Sequence, residues 1–363
     1  MYLMESAPGT ETIINGKTYL YFGGTGYYQL HSHPEIINAG CEALKKYGLN
    51  SATTRGGYGT TKLLRDVEKN AARYFGTDDA AYIASGYLSN LAGIQALNIY
   101  KKIDAVFVDE NAHYCNIDGA NSILKPVYYF RHMDVSVLEG KIKKHLKPNQ
   151  RPLIVTDGVF PLFGRIAPVD QYLNIAENNN GMVWVDDAHG VGVVGDSGRG
   201  TYDHYNLKSE RLYFGGTLGK AFGGFGGIIP GNSDFINIVK KGNVMNGASA
   251  PPSPAAAASL KGIEILQSNE EKRKKLWANA VRFKKGLKKL GVDIEVNHVP
   301  IAAWGMESEK DMERVFNQLM KKGISIQYSN YVGSETGVLR VVLFSTHTEK
   351  QINRLLYELE KLI

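Results

Sequence analysis

Short unbroken apolar runs alternate with stretches of helical periodicity through the middle of this chain. A-V-F-V-D (105–109), L-I-V-T-D (153–157) and M-V-W-V-D-D (182–187) each end in aspartate, and helical segments such as Gln171–Glu177 fill the gaps. Such runs read as strands of a parallel sheet buried on both faces, with ligands held beyond the carboxyl ends of the strands. Upstream, residues 12–30 read as a short strand pair followed by the loop G-G-T-G-Y-Y-Q-L. Pro34 opens a helix with Ile36, Ile37, Gly40, Cys41 and Leu44 on one face. After the Gly/Ser/Thr-rich loop 48–60, Leu64, Val67, Ala71 and Tyr74 mark a helix that Gly76 ends. A-A-Y-I-A-S-G-Y-L-S-N is a strand that turns at Ser85-Gly86 into a helix.

The texture changes after P-P-S-P-A-A-A-A. Residues 253–290 read as one long helix, followed by I-E-V-N (294–297), V-P-I-A-A-W (299–304), a helix bearing Met312, Val315, Phe316 and Leu319, and V-L-R-V-V-L-F (338–344). Thr348 and Gln351 form a capping box for a last helix with Ile352, Leu355, Leu356 and Leu359 inward. This part reads as a small α+β domain, and no internal repeat is visible.

The chain has 363 residues, 43% of them hydrophobic, which is enough for two domains with sizeable cores. The formal net charge of +6 is concentrated at Lys272–Lys275 and Lys284–Lys289. Leu276, Ala280, Phe283, Leu287 and Leu290 recur there at helical spacing, so the basic residues are expected on a solvated face rather than in a nucleic-acid site. Cys41 and Cys115 make no disulfide framework, the N-terminus lacks signal-peptide features, and no apolar run reaches membrane-spanning length. The expected setting is a reducing cytoplasm.

One lysine stands apart. In R-L-Y-F-G-G-T-L-G-K-A-F-G-G (211–224), Lys220 sits between Gly219 and Ala221, in a setting with little bulk. Three readings are open. A phosphate-binding P-loop needs G-x-x-x-x-G-K-[ST], but Gly215 and Gly219 are too close and Ala221 stands where a hydroxyl is required. A surface lysine on a glycine turn is the second. A Schiff-base lysine for pyridoxal phosphate (PLP) is the third, and the other strand ends favour it. V-D-D-A-H-G places Asp186, Asp187 and His189 at one of them. Taken alone, these are metal ligands or an idle polar loop. For PLP, a carboxylate at a buried strand end keeps the pyridine nitrogen protonated. Asp186 takes that role, and His189 is expected at the phenolic oxygen. Ser85-Gly86-Tyr87 offers a helix N-terminus to the phosphate, Thr217 a hydroxyl, and His113 a flat ring past another strand end.

The motifs S-G-Y-L-S-N, D-E-N-A-H-Y-C-N-I-D-G, F-R-H-M-D, T-D-G-V-F, V-D-D-A-H-G-V-G-V-V-G-D-S-G-R-G and T-L-G-K-A-F-G-G occur in this order. With this spacing the chain resembles the α-oxoamine synthases, PLP enzymes of fold type I, over about residues 20–360. The resemblance implies that Lys220 is the Schiff-base lysine, Asp186 the pyridinium partner, His189 the phenolate partner and His113 the stacking ring. It also implies that Gly86 and Tyr87 supply phosphate amides, Thr217 a phosphate hydroxyl, and Ser249 a contact to the neighbouring subunit's phosphate in a homodimer. No metal is called for. The implied fold is a mostly parallel central sheet in a large domain, 46–252, and a small C-terminal domain, 253–363, against which residues 1–45 pack.

Several positions depart from the family pattern. Pro161 replaces a serine, Leu64 a histidine, and Val338 one of two arginines, leaving Arg340 as the candidate clamp for a substrate carboxylate. Thr25 stands where an asparagine often meets the substrate. The expected reaction is condensation of an amino acid with an acyl thioester, carried by CoA or a carrier protein, with loss of CO2, to an α-aminoketone. An aminotransferase or a C–C lyase uses the same cofactor residues, and a non-catalytic binding module uses the same fold.

Overall fold

The computed structural model describes residues 2–329 and 337–363. The chain forms two compact units, one built from residues up to His33, Pro161–Arg165 and Asn269 onward, the other from Pro34–Phe160 and Ile166–Ser268.

The larger unit is organised on a seven-stranded sheet. Its strands, in spatial order, are Asp79–Ile83, Gly227–Gly231, Leu212–Thr217, Met182–Asp186, Pro152–Asp157, Ala105–Asp109 and Val127–Phe130. Only Gly227–Gly231 runs against its neighbours. The runs AVFVD, PLIVTD and MVWVD are buried at every position, as expected of strands covered on both faces. Parallel pairing brings Asp157 level with Asp186 at one edge of the sheet. The strand Gly227–Gly231 was not legible in the sequence. Its glycines and Pro230 argue against a strand, but Pro230 pairs with Ala80 only, beyond the two-residue stretch that also pairs with Leu212–Thr217.

Local signals set the helix ends that matter for the site. Thr61 caps Lys62–Phe75 through Leu64 N, and Gly76 closes it at φ 68°. Ser85 caps Gly86–Lys101 through Leu88 N. The helix Pro34–Tyr47 buries Ile36 and Ala43 but leaves Ile37, Cys41 and Leu44 exposed, so the expected apolar face is only partly covered.

The smaller unit holds two three-stranded sheets. One joins Glu11–Ile14, Lys17–Tyr21 and Ile324–Ser325; the other joins Ile301–Trp304, Val338–Val342 and Gln327–Ser329. Phe22, Phe283, Leu287, Val315, Leu319, Leu339 and Leu355 share its core. The predicted capping box at Thr348 and Gln351 is present.

Three expectations need correction. The helix drawn over 253–290 is two, Ser253–Gln267 and Glu270–Lys289, because Asn269 caps a new start through Lys272 N. The unit boundaries fall at 33/34 and 268/269 rather than 45/46 and 252/253, since Pro34–Tyr47 and Ser253–Gln267 pack on each other within the larger unit. Lys284 is not on a solvated face. It is 1% exposed, between Ala280, Phe283 and Leu287 on the buried side of its helix.

Candidate active site

The carboxyl edge of the large sheet gathers most of the predicted residues. Asp186, the last residue of its strand, is 6% exposed. Its Oδ2 accepts from Asn90 Nδ2 at 2.8 Å and from the Cys115 thiol at 3.1 Å, and its Oδ1 accepts from Ala188 N at 3.1 Å. Asn90 is held in turn by Trp184, whose indole N–H donates to Asn90 Oδ1 at 2.8 Å. With its oxygen on the indole, the amide must point its N–H2 toward Asp186. Trp184 fits because residue 93 is glycine: a Cβ there would lie 1.8 Å from the indole ring.

Beside Asp186 lies a second buried carboxylate, Asp157, which accepts from the His113 backbone N–H at 3.1 Å and from Asn116 Nδ2 at 2.9 Å. Burial, and next the charge of Asp186, push the Asp157 carboxyl well above its usual range. His113 caps the helix Tyr114–Ser122, its Nδ1 accepting the Cys115 N–H at 3.2 Å. Burial lowers the His113 pKa, against the raising influence of Asp186. The Tyr87 and His113 rings pack edge to face, their centroids 6.1 Å apart.

Lys220 lies past the strand Leu212–Thr217, with its Nζ 2.8 Å from His189 Nε2. The sheet therefore brings the lysine and the V-D-D-A-H-G histidine into direct contact. Gly86 opens its helix against Thr217, where a Cβ would come within 2.9 Å of the threonine Cβ. The helix N-terminus, with Tyr87 as its second residue, and the Thr217 side chain are therefore adjacent. In this structure the Thr217 hydroxyl donates to Gly226 O at 2.8 Å and accepts from Gly219 N at 3.1 Å. Ser249 is exposed and forms an isolated bridge with Thr54 of the glycine-rich loop.

These residues fit pyridoxal phosphate. Its phosphate, carbonyl, phenolic oxygen and ring nitrogen call for a helix N-terminus, an amine, a hydrogen-bonding side chain and a buried carboxylate. The edge of one sheet carries all four, at Gly86, Lys220, His189 and Asp186. The same edge also holds a mixed donor set: a nitrogen of His113, the sulfur of Cys115 and an oxygen of Asp186 lie within 4.8 Å of one another. Burial and the charges of Asp186 and Asp157 push the Cys115 thiol far up, so the sulfur keeps its proton.

The two remaining candidates belong to the smaller unit. Arg340, on Val338–Val342, is 7% exposed. Its Nε donates to Pro161 O at 2.8 Å, and its Nη1 donates to Gln327 Oε1. Pro161 thus keeps a polar group, its carbonyl, on the arginine. Val338 is buried with Leu162 and Ala303, and Leu64 is likewise buried. Thr25 is half-buried in the loop after Lys17–Tyr21.

Asn90, Cys115, Asp157 and Trp184 were not singled out from the sequence. Their signals were present but faint. Asn90 lies one helical turn after Gly86, Cys115 lies two residues after His113, and Asp157 ends an apolar strand.

The chain is similar to known proteins along nearly its whole length. The model of the aminotransferase class I and II family matches residues 24–359. The 8-amino-7-oxononanoate synthase of Thermosipho melanesiensis is 34% identical over 361 residues, spanning 99% of this chain and 92% of that protein. A solved structure of SPT with the PLP internal aldimine is similar at TM-score 0.93 and 28% identity, covering 100% of this chain and 92% of that one. The serine palmitoyltransferase from S. paucimobilis with bound PLP–myriocin aldimine is similar at TM-score 0.94 and 27% identity, with coverage of 100% and 92%.

Proposed function

The chain belongs to the aminotransferase class I and II family and, within it, to the α-oxoamine synthases, and on that premise we propose a PLP-dependent acyltransferase that condenses an amino acid with an acyl thioester. The observation that carries the reading is the meeting of Lys220 and His189 at 2.8 Å beside the buried carboxylate of Asp186.

When bound, pyridoxal phosphate supplies a carbonyl that takes up the amino acid and a ring that accepts the electron pair left at Cα. The chain's own groups do the rest. Asp186 holds a proton at the ring nitrogen, because a buried carboxylate stabilises the cation beside it. The amide N–H groups at Gly86 and Tyr87, with the positive end of their helix, bind the phosphate, and Thr217 lines the same end. His113 would supply the ring that stacks on the bound cofactor. His189 orients the phenolic oxygen and the amine of Lys220. That amine anchors the cofactor, then takes the Cα proton of the substrate, a role that needs the lysine neutral at that moment. Arg340 binds the substrate's carboxylate, and Thr25 contributes on the substrate side. Attack of Cα on the thioester carbonyl forms the new C–C bond and expels the thiol, and loss of CO2 leaves an α-aminoketone.

The enzyme works in this reading as a homodimer in the cytoplasm, with Ser249 reaching the partner subunit's phosphate. In support, Tyr87, Tyr114, Ile99 and Leu124 leave large apolar surface exposed on the larger unit. No helix among the described residues is long and apolar enough to cross a membrane.

The test is thiol release. Purified protein loaded with PLP is given single amino acids together with a panel of acyl-CoA thioesters, and free thiol, CO2 and product mass are followed. One amino acid should drive stoichiometric release of thiol and CO2. Formation of an oxo acid with the pyridoxamine form of the cofactor, and no thiol release, would replace the proposal by transamination.

A further inference from the structure

Cys115 has no part in the steps above, yet its sulfur stands between two of the groups that do. Sγ lies 3.1 Å from Asp186 Oδ2 and 2.8 Å from His113 Nδ1, and it receives an N–H of Asn90 at 3.1 Å. The residue is 2% exposed. The thiol donates to Asp186 Oδ2, and His113 Nδ1 accepts the backbone N–H of Cys115 at 3.2 Å. Asp186 Oδ2 therefore accepts twice, from the Asn90 amide and from the Cys115 thiol. Trp184 fixes the amide donor, so the strength of the second donor is the variable one.

We propose that Cys115 is a positioning residue of the active site: its thiol sets how strongly Asp186 competes with the cofactor's ring nitrogen for their shared proton, and its sulfur backs the His113 ring. The proposal rests on the reading that Asp186 faces that nitrogen. A donor to a carboxylate favours the carboxylate's charged form, which leaves the shared proton on the nitrogen. A thiol is a weak donor, a hydroxyl a stronger one, and a methyl group none. The chain thus carries an intermediate setting, and replacing the side chain should move the proton in either direction.

The measurement is the 15N resonance of ring-labelled pyridoxal phosphate bound to the full-length protein, followed across pH. In Cys115→Ala the resonance should move toward the unprotonated pyridine value, and in Cys115→Ser it should move the opposite way. Exchange of the substrate Cα proton should slow about 2- to 10-fold in the alanine variant, the range of one neutral hydrogen bond, and return in the serine variant. A purely structural role would not split the two variants in opposite directions. Equal nitrogen shifts in wild type and Cys115→Ser overturn the proposal, whether or not the alanine variant takes up cofactor. Asp186→Asn separates this from the underlying reading: a wild-type nitrogen shift in that variant means Asp186 is not the partner at all.

Discussion

Lys220 Nζ and His189 Nε2 face each other at 2.8 Å. At that separation the two nitrogens share a single hydrogen, so one of them donates and the other accepts. A protonated lysine there requires neutral His189, and a neutral lysine can accept from the ring. The contact therefore gives the amine a place for its proton within the site.

If Lys220 is the anchor, Lys220→Ala should no longer be fixed covalently to pyridoxal phosphate by borohydride. Mass spectrometry of tryptic peptides checks this, with the wild-type adduct expected on the peptide bearing Lys220. A cofactor adduct on another lysine in the variant moves the anchor and rejects the assignment.

Arg340 is buried, and its donors to Pro161 O and Gln327 Oε1 hold the guanidinium plane. Arg340→Ala should weaken amino-acid binding by about 10- to 150-fold, the range of one charge-assisted hydrogen-bonded pair. Affinity for pyridoxal phosphate should hardly change. Arg340→Lys should restore only part of the loss, because an ammonium cannot reproduce the planar fork. Absorbance titrations with the amino acid, with cofactor dissociation as control, read both. Unchanged amino-acid affinity in Arg340→Ala places the carboxylate elsewhere, and not on Arg55, which already grips Glu68 at 2.7 and 3.1 Å.

Gly93→Ala should lower stability by about 1–3 kcal/mol, because the new methyl group meets the buried Trp184 ring in a packed core. The displaced indole would also loosen Asn90, so the ring-nitrogen resonance of bound cofactor should shift along with the urea midpoint. A variant with both unchanged would show that the helix can yield at no cost.

Lys284 gives a pH signature. Burial pushes its pKa from 10.5 down to about 7, and its Nζ donates to Asn297 Oδ1. The unfolded chain thus binds more protons than the folded one between those two values. Stability from this group rises as pH climbs through that window, by up to about 1.4 kcal/mol per pH unit, and is lost again as pH falls toward the folded value. Lys284→Met should flatten this slope. Urea midpoints measured near pH 7.5 and near pH 9.5, each a rounded setting of about half a unit, check it. Parallel slopes in the two proteins would show Lys284 charged in the fold.

What could be read without the structure was whatever is written locally. Unbroken apolar runs ending in Asp109, Asp157 and Asp186 announce strands of a doubly covered sheet, and Ser85 and Gly76 announce helix ends. Lys220, Asp186 and His189 were recognisable because their motifs are short and their chemistry is specific. Tertiary structure decided matters that depend on residues distant in the chain. Asn90, Cys115, Asp157 and Trp184 surround Asp186 only because strand order and register place Asp157 level with Asp186 and Gly93 makes room for the indole. Lys284 reads as a solvated cation in a basic helix, and it is buried. A strand or helix has two sides, and which side faces the core is set by the elements that pack on it, not by the residue's own polarity.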